Sequence, residues 1–188
     1  MTDQVSQPSA VLVSGIQAAG KSTVGRLLAE RFERSAFVEG DLMWRLLVSG
    51  RIDMTPDPSP EAISHLHLRY RNAAFLVDSL VAAGFIVVST DMVLGADLTR
   101  YLSWVRTRPL RIVVLAPSVE AVVERELGRE KEAYRRWMSR GERIEDAIRT
   151  FQGWINATPE IGLRIDSSKQ SPIQTVDAIL ERWDEALV

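Results

Sequence analysis

The chain has 188 residues, 46% of them apolar and 26% charged, and a formal net charge of −2. That length suits one domain with a full core, and the near-neutral balance lacks the basic excess of a protein built to coat nucleic acid. The complete lack of cysteine excludes disulfide frameworks, cysteine-held zinc and thiol nucleophiles, and two histidines leave little for a metal cage.

The opening MTDQVSQPSA is polar, with no basic segment followed by an apolar one, and no later stretch approaches the roughly 18 apolar residues of a membrane span. A cytoplasmic protein with neither nucleic-acid nor membrane partners is expected. The first apolar run, AVLVSG at 10 to 15, predicts a strand buried on both faces. Directly behind it stands GIQAAGKS at 15 to 22, which matches G-x-x-x-x-G-K-[ST]. Val24, Leu27, Leu28 and Phe32 then recur at helical spacing, so the motif has the strand before it and the helix after it that its chemistry requires. Gly15 and Gly20 let the backbone turn and close on a phosphate. Successive N–H groups of Gln17, Ala18, Ala19, Gly20, Lys21 and Ser22 can form an anion nest at a positive helix end, with Thr23 assigned beside them. Lys21 supplies charge to the β- and γ-phosphates, and the Ser22 hydroxyl suits Mg²⁺. Binding of ATP with Mg²⁺ is the firmest expectation from the residues.

The second run, AFVEGD at 36 to 41, ends on Asp41, at the sheet edge where the phosphate loop emerges. Its carboxylate could take the proton of an acceptor hydroxyl or orient that hydroxyl for in-line attack; it could also cap a helix starting at Leu42, and the two roles can coexist. Arg45, one turn on, is either a hold on an anionic part of the substrate or a surface charge. Trp44 is either an aromatic wall for the acceptor or a packing residue like the other tryptophans, Trp104, Trp137, Trp154 and Trp183. After the turn-rich TPDPSP at 55 to 60, a helix is predicted with Ile63, Leu66, Tyr70, Ala73, Val77 and Leu80 on one stripe, stopped by Gly84. His65 and His67 lie two apart on it and so face different directions, which argues against joint metal binding.

The third run, GFIVVSTD at 84 to 91, ends on Asp91, which could hold Mg²⁺ through water, line the acceptor pocket with Ser89 and Thr90, or cap a helix beginning near Gly95. RIVVLAP at 111 to 117 and GLRIDS at 162 to 167 complete five strands alternating with helices, the pattern of a parallel sheet covered on both faces. Between these last two lies RELGREKEAYRRWMSRGER at 125 to 143, charged, arginine-rich and short of core residues. It reads as a mobile lid, or else as a solvated helix surface. Arg125 and Arg129 share a helix face; Arg129 is assigned to stabilising transferred charge and Arg125 to bordering or stacking on the base.

These stretches together resemble the small P-loop kinases of the shikimate, gluconate and adenylylsulfate kinase group, most closely the chloramphenicol phosphotransferase-like proteins. The resemblance runs through GIQAAGKST, EGD, VVSTDMVLG, VVLAPSVEAVVEREL with its following arginines, GLRIDSS and the last helix. It implies an α/β P-loop NTPase fold, a five-stranded parallel sheet flanked by helices with a helical arginine-rich lid, and transfer of the γ-phosphate of ATP to a small molecule, with Asp41 as base. Two positions depart from the pattern. Thr90 stands where the antibiotic kinases tend to carry the first of two acids, and Arg45 falls one residue late for the GDxxR of adenylylsulfate kinases.

The expected activity is therefore an ATP-dependent phosphotransferase acting on a hydroxyl-bearing small molecule, an antibiotic such as chloramphenicol being one acceptor. Alternatives are a nucleoside, nucleotide or other metabolite kinase, or a nucleotide-sensing domain without catalysis. The [NT]KxD and DxxG signatures of a regulatory GTPase do not occur. Arg45, Arg51, Arg69 and Arg71 are all available to an anionic acceptor, and the spacing does not say which face the cleft. The assembly is expected to be a monomer or a homodimer.

Overall fold

A computed structural model describes residues 7–128, 134–138 and 141–188, the side chain of Arg136 excepted. Five strands, β1 (Ala10–Gly15), β2 (Ser35–Glu39), β3 (Ile86–Thr90), β4 (Leu110–Leu115) and β5 (Leu163–Ile165), pair in parallel in the order β2-β3-β1-β4-β5. Each predicted apolar run overlaps one of them, β2 and β4 beginning one residue earlier than the runs. Val11 pairs in register with Val88 on one side and Arg111 on the other, and Glu39 pairs with Thr90 at the edge of the sheet.

The helices are α1 (Lys21–Ala29), α2 (Gly40–Arg45), α3 (Pro60–Ala82), α4 (Ala96–Trp104), α5 (Val119–Leu127), α6 (Ile144–Asn156) and α7 (Pro172–Glu181), with a short 3₁₀ turn at Arg135–Trp137. From β1 the chain crosses two places along the sheet to β2, then returns in the opposite direction through β3, β4 and β5. Right-handed crossovers consequently place α1 on one face and α3 to α6 on the other, while α7 packs beside α1. The carboxyl end of β1 is where the connections diverge, and the phosphate loop sits there.

Burial on both faces explains the continuous apolar strands: Val11, Val13, Val87, Val88, Ile112 and Val113 are fully inaccessible. Each such side chain stabilises the fold by roughly 1.5–3 kcal/mol relative to exposure. α3 begins where Ser59 accepts from the Ala62 N–H, with Pro60 in the first turn, and it buries Tyr70, Ala73 and Val77 as the stripe predicts. Ile63, at the start of that stripe, is exposed while its neighbour Ala62 is buried. Trp183 is buried against Phe32 and under the Arg111 guanidinium, tying the C-terminal segment to β4.

The stretch at 125 to 143 differs from its reading as poor in core residues. Tyr134 is fully buried and Trp137 nearly so; both make edge-on contacts with Phe151 of α6, at centroid distances of 5.0 and 5.2 Å. Trp137 packs as its reading among the tryptophans led one to expect, whereas the charged composition hid Tyr134; such aromatic packing contributes beyond area alone. Arg129 lies outside the described residues.

Candidate active site

The phosphate loop is built by its backbone. Gly20 caps α1 in the left-handed region at φ 96°, and Ala18 also has positive φ, at 59°. The first turn of α1 contains no acid and no side-chain cap, and its first helical bond runs from the Val24 N–H to the Gly20 carbonyl. The N–H groups of Ser22 and Thr23 are thus not spent within the helix, which leaves a positive helix end at the cleft. Lys21 Nζ donates to the Ile16 carbonyl at 2.8 Å and folds back over the loop. Gly15 sits so close to β4 that a Cβ there would meet the Leu115 carbonyl oxygen at 2.7 Å.

A cleft of about 1400 Å³ runs from this loop across the carboxyl ends of the strands. It brings together Gln17 through Thr23, Asp41, Trp44, Asp91 and Arg125, as the motifs led one to expect of a shared site, with Thr90 and Arg69 from the acceptor candidates; Ser89 instead turns its hydroxyl to the Val11 carbonyl, and Glu39, Arg135, Ser167 and Gln170 are additions. Arg45 is exposed and does not line it.

Asp41 is in the first turn of α2, which starts two residues earlier than expected, at Gly40, and has Glu39 as its cap residue without a side-chain bond. The carboxylate therefore caps nothing. It is 64% exposed to the cleft, and its Oδ1 lies 3.3 Å from Arg69 Nη2. Asp91 is nearly buried and held by Arg69 through both oxygens: Arg69 Nε donates to Oδ2 at 2.8 Å and Nη2 donates to Oδ1. The Met92 N–H also donates to Oδ1, at 2.7 Å. Asp91 does not cap α4, whose cap residue is Gly95. Burial alone would lower the Arg69 pKa, but the charge and hydrogen bonds of Asp91, with the charge of Asp41, raise it above the ordinary guanidinium value. The pair fits only because position 40 is glycine: a Cβ there would overlap the Asp91 carboxylate.

Trp44 Nε1 donates to Asp53 Oδ1 at 2.8 Å, and Arg51 Nε lies 3.2 Å from the same oxygen, which fixes the indole as one wall of the cleft. His65 Nδ1 accepts from the Ile52 N–H, whereas His67 meets Asp97 at 3.1 Å. The two histidines have separate partners, and among the described residues no group of three histidine, cysteine or acidic side chains could hold a metal ion.

At the other end, Arg125 Nη1 donates to the Ala19 carbonyl at 3.3 Å and Nη2 to the Ser167 carbonyl at 2.6 Å, linking the phosphate loop to the segment after β5. Tyr134 Oη donates to the Gln17 carbonyl at 2.8 Å, a second tie to the loop. Ser167 Oγ and Gln170 Oε1 line this end, buried and without hydrogen-bond partners among the described residues. Orphaned polar atoms beside an unspent helix terminus are what a polar ring and a phosphate chain would satisfy, so the residues fit a nucleotide.

Sequence reasoning passed over Glu39, Tyr134, Ser167 and Gln170, and did not distinguish Arg69 from its neighbours. Glu39 alone carried a signal, an acid two residues before Asp41 at a strand end.

Neither a protein-family model nor a curated protein matches the chain. Solved structures do, at low identity. The chain is similar to a sugar kinase from Janibacter sp. HTCC2649, with 18% identity, a TM-score of 0.65 and 95% of each chain covered. A gluconokinase from Sinorhizobium meliloti 1021 matches with 20% identity and a TM-score of 0.59, covering 95% of this chain and 94% of the other. The tunicamycin resistance protein of Deinococcus radiodurans matches with 16% identity and a TM-score of 0.66, covering 96% of this chain and 98% of the other. The chain thus has the P-loop α/β fold found in small kinases.

Proposed function

We propose that the chain is an ATP-dependent phosphotransferase that moves the γ-phosphate to a hydroxyl of a small molecule. The observation that carries this reading is that one cleft contains both a phosphate loop and, at its acid-bearing end, an exposed carboxylate on Asp41. A switch or sensor needs the first and has no use for the second. Similarity to a sugar kinase, a gluconokinase and an antibiotic resistance protein supports it at the level of fold.

The residues divide the work as follows. Loop N–H groups and Lys21 bind the triphosphate, and Arg125 borders the base with Ser167 and Gln170. Asp41 accepts the acceptor's hydroxyl proton as its oxygen bonds to the γ-phosphorus and the bridging bond to ADP breaks. Arg69 holds Asp41 in place, and Trp44 walls the acceptor. Ser22 would hold Mg²⁺, which supplies charge neutralisation at the phosphates when bound. Asp91 shares that assignment only where Arg69 releases it; Glu39, lining the cleft without a partner among the described residues, is the available carboxylate. Stabilisation of transferred charge falls to Arg129, with Arg135 a further arginine that lines the cleft beside Arg69 and Arg125.

An ATP-consumption screen over hydroxylated antibiotics, chloramphenicol included, sugars and nucleosides tests the reading. Lys21→Ala should abolish transfer, while Asp41→Asn should lower kcat by about 10²–10⁴-fold and leave ATP binding largely intact. Tight ATP binding with no acceptor in any class would favour the sensing domain.

A further inference from the structure

The acceptor end of the cleft is more negative than a site for an anionic substrate should be. Four carboxylates line it, Glu39, Asp41, Asp53 and Asp91, and Arg69 is the only basic side chain among the described residues lining that end. Arg51 approaches from the rim to pair with Asp53. Among the described residues, two cations against four anions leave an excess of negative charge before a nucleotide brings more.

Availability matters as much as the count. A guanidinium recognises a carboxylate, sulfate or phosphate ester through its planar fork. The Arg69 fork is already closed on Asp91, which takes Nε and Nη2, and Nη2 is shared with Asp41. Asp91 is itself 5% exposed and also accepts from the Met92 N–H, so it cannot swing aside without stranding a buried charge. Arg45 and Arg71, the other two arginines of this region, are exposed and do not line the cleft. Against this charge stand neutral contact groups. Trp44, Met54, Leu66 and Met92 supply apolar wall, and Thr90, whose buried hydroxyl has no partner among the described residues, adds an uncharged side chain to the lining.

We propose that this cleft selects hydroxyl acceptors bearing no carboxylate, sulfate or phosphate group, that it admits uncharged and amine-bearing ones, and that the Arg69–Asp91 fork is the excluding device. The proposal rests on the phosphotransferase reading and names its acceptor class. Specificity here comes from repulsion and from a donor fork withheld. Arg69 acts as a positioning residue for Asp41, and the salt-bridged Asp91 keeps it from serving as an anion receptor.

The test separates anion exclusion from catalysis. With saturating Mg-ADP filling the phosphate loop, sodium sulfate is titrated at constant ionic strength into the full chain while the ¹⁵N-labelled Trp44 indole signal is followed. Wild type should show no saturable shift into the tens of millimolar. Asp91→Asn, which releases the Arg69 fork, should bind sulfate at least about tenfold more tightly. Asp41→Asn, at an exposed position, serves as the second variant and should move in the same direction. Saturable sulfate binding by wild type, or no gain in either folded variant, overturns the proposal. In parallel, transfer is measured to one sugar scaffold in its uncharged, amino and carboxylate forms, and then to the hits of the wider acceptor screen. An anionic acceptor turned over with kcat/KM equal to that of its uncharged counterpart also overturns it. Transfer to nothing, with the sulfate results as expected, overturns the phosphotransferase reading while leaving anion exclusion established.

Discussion

Asp91 packs its carboxylate against the backbone of Gly40, in the space where any other residue at position 40 would carry its Cβ. This contact joins the end of β3 to the start of α2 and sets where Asp41 stands, because Arg69 bridges both acids. Gly40→Ala should therefore act at the acceptor end and not at the phosphate loop. Overpacking of this kind costs about 1–3 kcal/mol, enough to lower Tm by several degrees. Turnover should fall much further than the stability loss explains, with ADP affinity by calorimetry within about twofold of wild type. Equal loss of both functions would place Gly40 outside this coupling.

Arg125 is the bolt between the phosphate loop and the segment following β5. Its bonds to two carbonyls are charge-assisted, worth about 1.5–3 kcal/mol where they escape solvent. Arg125→Ala should raise the KM for ATP by about tenfold or more, and Arg125→Lys should not restore it, since an ammonium cannot span both oxygens in one plane. Steady-state kinetics at saturating acceptor would decide; a fully active lysine variant would mean that charge alone matters.

Tyr134 couples a segment otherwise rich in charge to the loop. Tyr134→Phe removes the phenol donor to the Gln17 carbonyl, a loss of about 1 kcal/mol, and should weaken nucleotide binding up to about fivefold while lowering Tm by only about 2–4 °C. Tyr134→Ala would also open a cavity beside Phe151 and should destabilise by about 3–5 kcal/mol. Thermal melts with and without ADP distinguish the two effects.

The Ser168 hydroxyl and backbone N–H both donate to Asp166, and these bonds hold its carboxyl below the usual range. A lowered folded-state pKa contributes stability above the unfolded-state value of about 3.9, lost as pH falls through the folded value. Wild type should thus melt above Asp166→Asn at pH 7, and the gap should narrow as pH falls below about 3.9. The effect will be small, as Asp166 is solvent-exposed. A gap independent of pH would assign the difference to packing.

The phosphate loop was legible residue by residue because its chemistry is local: backbone N–H groups, two glycines and a lysine act within one strand-to-helix turn, at a spacing that needs no distant partner. The strands were legible for a related reason, since burial on both faces writes a continuous apolar run wherever a parallel strand must pass. Asp41 and Asp91 could be located at strand ends, but their environments could not. Arg69 stands 22 residues from Asp91 along the chain and shares a stripe with nothing that marks it; only the packing of α3 against β3 turns its fork onto the acid. Tyr134 was masked by the charges around it, and the packing partner of Trp137 was unknown, until α6 supplied Phe151 to both. Local backbone chemistry makes the proposed donor site readable from sequence, whereas the proposed acceptor site is a set of long-range pairings that exists once helices and sheet are brought together.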